Sequence, residues 1–310
     1  MVARAADTGW RPTLPSEDRT ASAPTVRIEV RKTYKLYIGG AFPRSESGRS
    51  YVVNDSRGNF LANASQASRK DVRDAVVAAR TAFGGWSGKT AYNRAQVIYR
   101  VAELMEGRRV QFVDEVQRGE GLTRRQAEKA VDLSIDRLVW YAGWADKIGQ
   151  VVGSTNSVAG PYFDFSLPEP TGVVAVLAPE DSSLLGLVSV LAPVIVTGNT
   201  VVVVTSYARP LPSITLSEVL ATSDVPAGVV NVLTGSATEI APWLASHMDV
   251  NAIDLTGIED AQQARALEEA AAENLKRVRR PGGEDWTEDP GIGRLTAFLE
   301  TKTVWHPIGV

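Results

Sequence analysis

Val173-Val174-Ala175-Val176-Leu177 and Thr200-Val201-Val202-Val203-Val204 are the two runs whose reading decides the fold. Both are short, rich in β-branched residues and apolar at consecutive positions, so a strand built from either presents apolar side chains on both faces. Val229 to Leu233 and Ala252 to Leu255 repeat the texture, and Leu184 to Val196 and Ile214 to Leu220 lie between the runs with helical spacing. Strands apolar on both faces that alternate with helices predict an α/β core, a Rossmann-like parallel sheet with flanking helices and right-handed crossovers.

Toward the N-terminus the pattern turns helical. Ser68 followed by Asp71 is a helix-start signature, and Val72, Ala75, Val76, Ala79 and Phe83 then recur on one helical face. Gly84-Gly85 is expected to end that helix, Thr90 to cap the next, with its stripe of Ala95, Ile98, Val101, Ala102 and Met105, and a third helix carries Val131, Ile135, Leu138, Val139 and Trp144. Leu36 to Val53 reads as short strands around turns at Gly39-Gly40 and Ser45 to Gly48, with turn chemistry again from Asn54 to Gly58. Tyr162-Phe163-Asp164-Phe165-Ser166-Leu167 alternates, which predicts a strand with one apolar face outside the main sheet. Residues 261–279 read as an Ala/Glu-rich helix, Pro281 to Gly293 as a connector, and Leu295 to His306 as a helix edge leading into a strand. Residues 1–33, rich in Ala, Ser, Thr, Pro and Arg, predict a flexible arm.

Composition narrows the function classes. A formal charge of -3 with 22% charged residues gives no basic field, so neither nucleic acid nor an anionic membrane is expected as partner. Zero cysteines remove disulfides, thiolate zinc sites and thiol catalysis together, and two histidines far apart, His247 and His306, predict no metal site. The longest apolar run is too short for a bilayer and the first residues lack an apolar signal core, so the expected location is cytoplasmic. Gly84-Gly85-Trp86-Ser87-Gly88-Lys89-Thr90 falls one residue short of phosphate-loop spacing and follows a helix, which favours a helix–helix turn. Gly198-Asn199-Thr200 is read first as a structural turn feeding a strand.

Several stretches resemble the aldehyde dehydrogenase family. Val139 to Ile148, Val-Trp-Tyr-Ala-Gly-Trp-Ala-Asp-Lys-Ile, resembles the helix that precedes its cofactor domain, and Glu169-Pro170-Thr171-Gly172-Val173-Val174 resembles the entry into its first nucleotide-binding strand. Leu191-Ala192-Pro193, Gly198-Asn199-Thr200, Pro226-Ala227-Gly228, Ser246-His247-Met248-Asp249 and Leu255-Thr256-Gly257 follow in the family's order. Phe298 to Trp305 resembles the family's C-terminal oligomerisation strand. Between Gly257 and that strand the family has a large catalytic domain, whereas this chain has a short stretch. The pattern is similar to the truncated second half of the family 16 aldehyde dehydrogenases. The resemblance implies a cofactor-type domain over residues 34–258 with an oligomerisation strand near 160–170, a remnant of the catalytic domain over 259–294, and an oligomerisation strand over 295–310.

It also implies what has been lost. Pro179-Glu180-Asp181 stands where the family has Pro-Trp-Asn, whose Asn amide helps to hold an oxyanion. Asp181 has no proton to donate at neutral pH and would repel developing negative charge. Val204 and Tyr207 occupy the positions of the Lys and Glu that hold the adenosine ribose, and Ile258, after Gly257, replaces a Ser that faces the pyrophosphate. Glu259 and Asp260 follow, and two acids at a helix start repel a diphosphate. The expectation is therefore no catalytic residue, no metal and no cofactor, NAD being the dinucleotide the resemblance would otherwise supply. Glu180 with Asp181 could act as acid and base or bind a cation, though capping or solvated carboxylates are the simpler reading, and His247 reads as structural.

Three functions stay open on this basis. The first is a non-catalytic pseudoenzyme subunit that assembles with a full-length aldehyde dehydrogenase, or with itself, through strands near Tyr162 to Leu167 and Thr301 to Trp305. The second is an oxidoreductase acting on the aldehyde or oxo group of donors with NAD(P) as acceptor, using a partner's catalytic residues. The third is a ligand-binding sensor with its pocket near Pro179 to Ser183.

Overall fold

The computed structural model describes residues 32–309. The arm expected over residues 1–33 lies outside that range except for its last two positions. β1 (Thr33–Tyr34), β2 (Ser50–Asn54) and β3 (Phe60–Ser65) come first, then α1 (Arg69–Ser87), α2 (Ala91–Gly107), α3 (Arg109–Glu120), α4 (Arg124–Trp144) and α5 (Ile148–Val152). β4 (Ser154–Asn156) and β5 (Tyr162–Pro170) lead into β6 (Val173–Leu177), α6 (Leu185–Val196), β7 (Thr200–Val204), α7 (Leu211–Thr222), β8 (Val230–Leu233), α8 (Ala237–Ala245) and β9 (Ala252–Asp254). The chain ends with α9 (Ala261–Ala272), β10 (Arg277–Arg279), α10 (Gly293–Thr296) and β11 (Leu299–Pro307).

The main sheet runs β10-β9-β6-β7-β8, and each pair of neighbours is parallel. Its central strands β6 and β7 are apolar at nearly every position because both faces are covered. Val173, Ala175 and Leu177 of β6 join Val202 and Val204 of β7 in one core with Val72, Ala75, Val76 and Ala79 of α1. Val174, Val176, Val201 and Val203 point the other way, into a core shared with α6, α2 and α4. On that side α2, α3 and α4 pack outside α6 and α7, so α6 is buried at all 12 positions and has no polar face. The outer edge of β8 is closed by Tyr37, whose N–H and C=O exchange bonds of 2.9 and 2.7 Å with Val232. Outside this sheet, β11-β5-β4 forms an antiparallel ribbon and β1-β3-β2 a small mixed sheet.

Local signals start the helices as expected. Ser68 and Asp71 form a reciprocal capping box on α1, and the Thr90 side chain accepts from the Asn93 N–H at 3.2 Å. Gly84-Gly85, however, does not end α1. The helix continues to Ser87, because Trp86 is buried at 1% exposure and donates its Nε1–H to the Ile195 carbonyl at 2.8 Å. Residues 261–279 are likewise not one helix. α9 stops at Ala272, Leu275 takes a left-handed φ of 60°, and the Asn274 amide bonds to the Met248 and Val250 carbonyls. The chain then turns back as β10, a fifth strand that sequence periodicity did not signal, paired to the outer edge of β9. α3 was also unsignalled, since no side chain caps its start.

Gly198-Asn199-Thr200 is a clamp. The fully buried Asn199 amide accepts from the Gly172 N–H at 2.9 Å and donates to Thr197 Oγ1 at 3.2 Å and the Phe298 carbonyl at 3.0 Å. One side chain thus joins the turn before β6, the start of β7 and the residue before β11. Replacing it leaves the buried Gly172 N–H unpaired, at roughly 1–3 kcal/mol, while the Phe298 carbonyl keeps its bond from the Thr171 N–H at 3.2 Å. Asn199→Ala is expected to lower unfolding free energy by about 1–3 kcal/mol in urea titrations.

Candidate functional site

In the main sheet the order of strands reverses between β6 and β9, since β7 and β8 build to one side of β6 and β9 and β10 to the other. Loops that leave neighbouring strands in opposite directions open a crevice at their C-terminal ends, where sheets of this kind bind ligands. Here it is a cleft of about 570 Å³ between the loop after β6 and the start of α9.

The cleft floor requires glycine. The Gly257 N–H donates to the Leu177 carbonyl at 2.8 Å, and a Cβ on Gly257 would sit well inside contact distance of the Ala178 carbonyl oxygen. On the β6 side, Glu180 is a structural tie. Its carboxylate accepts from Ser206 Oγ at 2.5 Å and the Tyr207 N–H at 2.9 Å, while Arg209 donates to its carbonyl at 2.5 Å. Ser183 bonds through its N–H and hydroxyl to Glu120, which fixes the rest of the loop. Asp181 is exposed and makes no hydrogen bond among the described residues.

Five of the seven positions singled out in the sequence, Pro179, Glu180, Asp181, Gly257 and Ile258, line this cleft. Val204 and Tyr207 do not. Val204 is buried in the sheet, and Tyr207 stacks on Tyr51 with ring centroids 4.4 Å apart. Burial, reinforced by Tyr207 and Glu180, raises the Tyr51 hydroxyl far above its ordinary value, so it stays a neutral phenol. Ile258 is 3% exposed and fills the position below the first turn of α9. Asp260 caps that helix, its carboxylate accepting from the Gln262 and Gln263 N–H groups at 2.7 and 3.3 Å. The helix-start amides that would cradle a phosphate are thus held by the chain's own carboxylate. His247, near the start of β9, accepts from the Asp249 N–H through Nδ1, and burial lowers its pKa. Among the described residues no group of three or more His, Asp or Glu side chains could hold a metal, and no helix is long and apolar enough to cross a membrane.

The remaining wall comes from Arg280 to Trp286, and behind it sequence reading missed the central feature. Asp254, at 0% exposure, pairs with Arg294, at 6%, at 2.9 Å, and also accepts from the Thr256 N–H and hydroxyl. Arg294 reaches on to Glu284 at 2.8 Å and lies over the Trp286 ring, 5.2 Å from its centroid. Arg279 holds Glu284 from the other side at 2.7 Å, and Arg280 spans to Glu268 of α9 with two bonds of 2.7 Å. The signal was available: an aspartate inside the apolar run Ala252 to Leu255 demands a cation.

The fold and crevice define an α/β protein of the dinucleotide-binding type. The sequence profile described as the aldehyde dehydrogenase family matches residues 42–283, and the chain belongs to that family. It is 35% identical over 263 residues to retinal dehydrogenase 2 of Gallus gallus, covering 83% of this chain and 49% of that relative. Among solved structures, the NAD-dependent aldehyde dehydrogenase of Sinorhizobium meliloti superposes with a TM-score of 0.76 at 28% identity, covering 82% of this chain and 50% of that one. An NAD+ complex of aldehyde dehydrogenase from Bacillus cereus gives 0.75 at 26%, covering 80% and 50%. The chain spans about half the length of the relatives it matches.

Burial pushes the Glu284 carboxyl up, but the Arg279 hydrogen bond and the charges of Arg294 and Arg279 outweigh it and hold the pKa below its ordinary 4.5. A carboxylate depressed on folding contributes stability that is present above 4.5 and lost as pH falls through the folded value. In unfolding titrations, Glu284→Gln should therefore be less stable than wild type at neutral pH, the gap closing as pH drops below 4.5. A gap constant with pH would contradict this.

Proposed function

We propose that this chain is a non-catalytic cytoplasmic subunit that assembles through its β4, β5 and β11 ribbon with a full-length aldehyde dehydrogenase, or with a second copy of itself. The observation that carries the reading is the polarity of the ribbon. Phe163 and Leu167 are 47% and 46% exposed, with Phe165 half-buried between them, whereas Asp164 and Ser166 on the opposite face are buried. Asp164 and Ser166 bond to Asn156, and Ser166 also to Thr303, so the middle of that face is a polar network, with Tyr162 and Trp305 exposed at its end. Val304 pairs opposite Phe165 and extends the apolar face. A lone sheet turns its apolar face inward, and one turned outward is completed by another protein surface. Among the described residues both outer strands, β4 and β11, add edges open to pairing.

Aldehyde chemistry by a thiolate nucleophile is outside this reading, because the sequence has no cysteine. NAD does not fit the cleft. Asp260 occupies the helix-start amides, Ile258 fills the floor, and Glu180, Asp181, Glu259, Glu268 and Glu284 outnumber Arg265 and Arg280 along the lining. Solved relatives are recorded with NAD+, which makes titration the deciding measurement. Calorimetry should detect no NAD+ binding tighter than about 1 mM. Micromolar binding would favour the oxidoreductase with partner-supplied residues.

Assembly is tested by the native mass of the tagged chain recovered from its own cells. A fixed-ratio complex with a longer aldehyde dehydrogenase, or a homo-oligomer, is expected. Phe163→Lys combined with Leu167→Lys should reduce it to monomer with little change in melting temperature, since both side chains are exposed. A wild-type chain that is already monomeric sinks the proposal.

A further inference from the structure

The segment from Gly282 to Pro290 that walls the cleft also walls a second cavity, of about 380 Å³, on the side of α4. Three guanidinium groups converge on it, from Arg137, Arg279 and Arg294, beside the buried phenol of Tyr141. Arg137 is only 7% exposed and donates to Ser189 Oγ at 2.8 Å and to the carbonyls of Trp286 and Glu288 at 2.9 and 2.6 Å. Every one of those acceptors is neutral, and among the described residues Arg137 has no carboxylate partner. A cation removed from water without a counter-charge is strongly disfavoured.

The neighbouring arginines leave the imbalance in place. Arg279 and Arg294 share Glu284, and Arg294 also takes Asp254, so two buried or half-buried carboxylates face three guanidinium groups. The Nε atoms of Arg279 and Arg294 are both buried without a hydrogen-bond partner. Guanidinium N–H donors that are fixed and unspent match the paired oxygens of a carboxylate or phosphate. Besides Glu284, which Arg279 and Arg294 share, the acids of the lining are the exposed Asp285, Glu288 and Asp289, and Asp285 is engaged by the Thr287 N–H and hydroxyl. Exposed carboxylates are screened by water and salt far more than the buried cations are.

We propose that this cavity is a binding site for a small oxyanion, a carboxylate or phosphate group held by Arg137, Arg279 and Arg294. The site is separate from the ribbon and from any dinucleotide, so it stands or falls independently of the subunit reading. A bound anion supplies the missing counter-charge and ties the Gly282 to Pro290 segment to α4.

The test is thermal melting and calorimetry of the full chain with sodium phosphate and sodium acetate, each against sodium chloride at matched ionic strength. A saturable rise in melting temperature beyond that in chloride is expected with at least one of the two, and which one responds distinguishes phosphate from carboxylate. Arg279→Gln, at a half-buried position, should weaken binding about tenfold or more. Arg137→Gln should abolish it, and if that variant fails to fold the Arg279 variant decides. Asp289→Asn should tighten binding, by about two- to threefold. No saturable response in wild type would mean that the cavity holds water only, and an unchanged response in Arg279→Gln would place the anion elsewhere. Either result overturns the proposal.

Discussion

A carboxylate at the end of a fully buried strand governs how the last part of this chain folds. Asp254 has no exposed surface, and an uncompensated charge there would cost several kcal/mol. It is satisfied only when Arg294 arrives, and Arg294 lies beyond α9, β10 and the whole Gly- and Pro-rich connector. The pair therefore forces that connector onto the sheet. Once Arg294 is seated, Glu284 and Trp286 close around it, Leu295 and Phe298 enter the core, and the Phe298 carbonyl meets the Asn199 amide. β11 follows directly and pairs with β5 along nine residues of each. A pair of charges at the crevice thus reaches, through Asn199, to the ribbon on which assembly is proposed to depend.

The same constraint shapes the cleft. The crevice at the strand reversal keeps its geometry, including the close approach of Gly257 to Ala178, but several of the groups around it are already committed. Glu180 holds the loop after β7, Asp260 holds the start of α9, and Arg280 is engaged by Glu268. A site whose donors and acceptors bond to one another offers little to a ligand. Arg279 and Arg294, whose Nε–H groups have no partner, line the cavity on the other side of the Gly282 to Pro290 segment.

How much of this was legible depended on whether the deciding contact was local. The strands of the main sheet could be read because consecutive Val and Ala positions need no knowledge of what covers them. α1, α2 and their caps could be read because Ser68, Asp71 and Thr90 act within one turn. The extension of α1 through Gly84-Gly85 could not, because it rests on Trp86 reaching Ile195 across the molecule. β10 could not either: three residues with two arginines carry no strand period, and only the free edge of β9 makes them a strand. At the site, Gly257 and the loop after β6 were found through family resemblance, whereas Asp254 was passed over as part of an apolar run.

The ribbon joins these threads. Its alternation predicted one apolar face, and the natural expectation is that such a face turns inward. The opposite occurs because the inward positions already have polar partners: Asn156 on β4, close in sequence, bonds to both Asp164 and Ser166, and Thr303 on β11 closes the network from the far end of the chain. Asp164 at 2% exposure is far more costly to leave without a partner than Phe163 or Leu167 is to leave in water. Turning the ribbon over would strand a carboxylate and gain only two or three apolar side chains. The outward apolar face is thus the stable orientation of the ribbon as it stands, and its exposure is a consequence of the polar network beneath it. Among the described residues nothing covers this surface, which is the physical reason for proposing that this protein is a subunit.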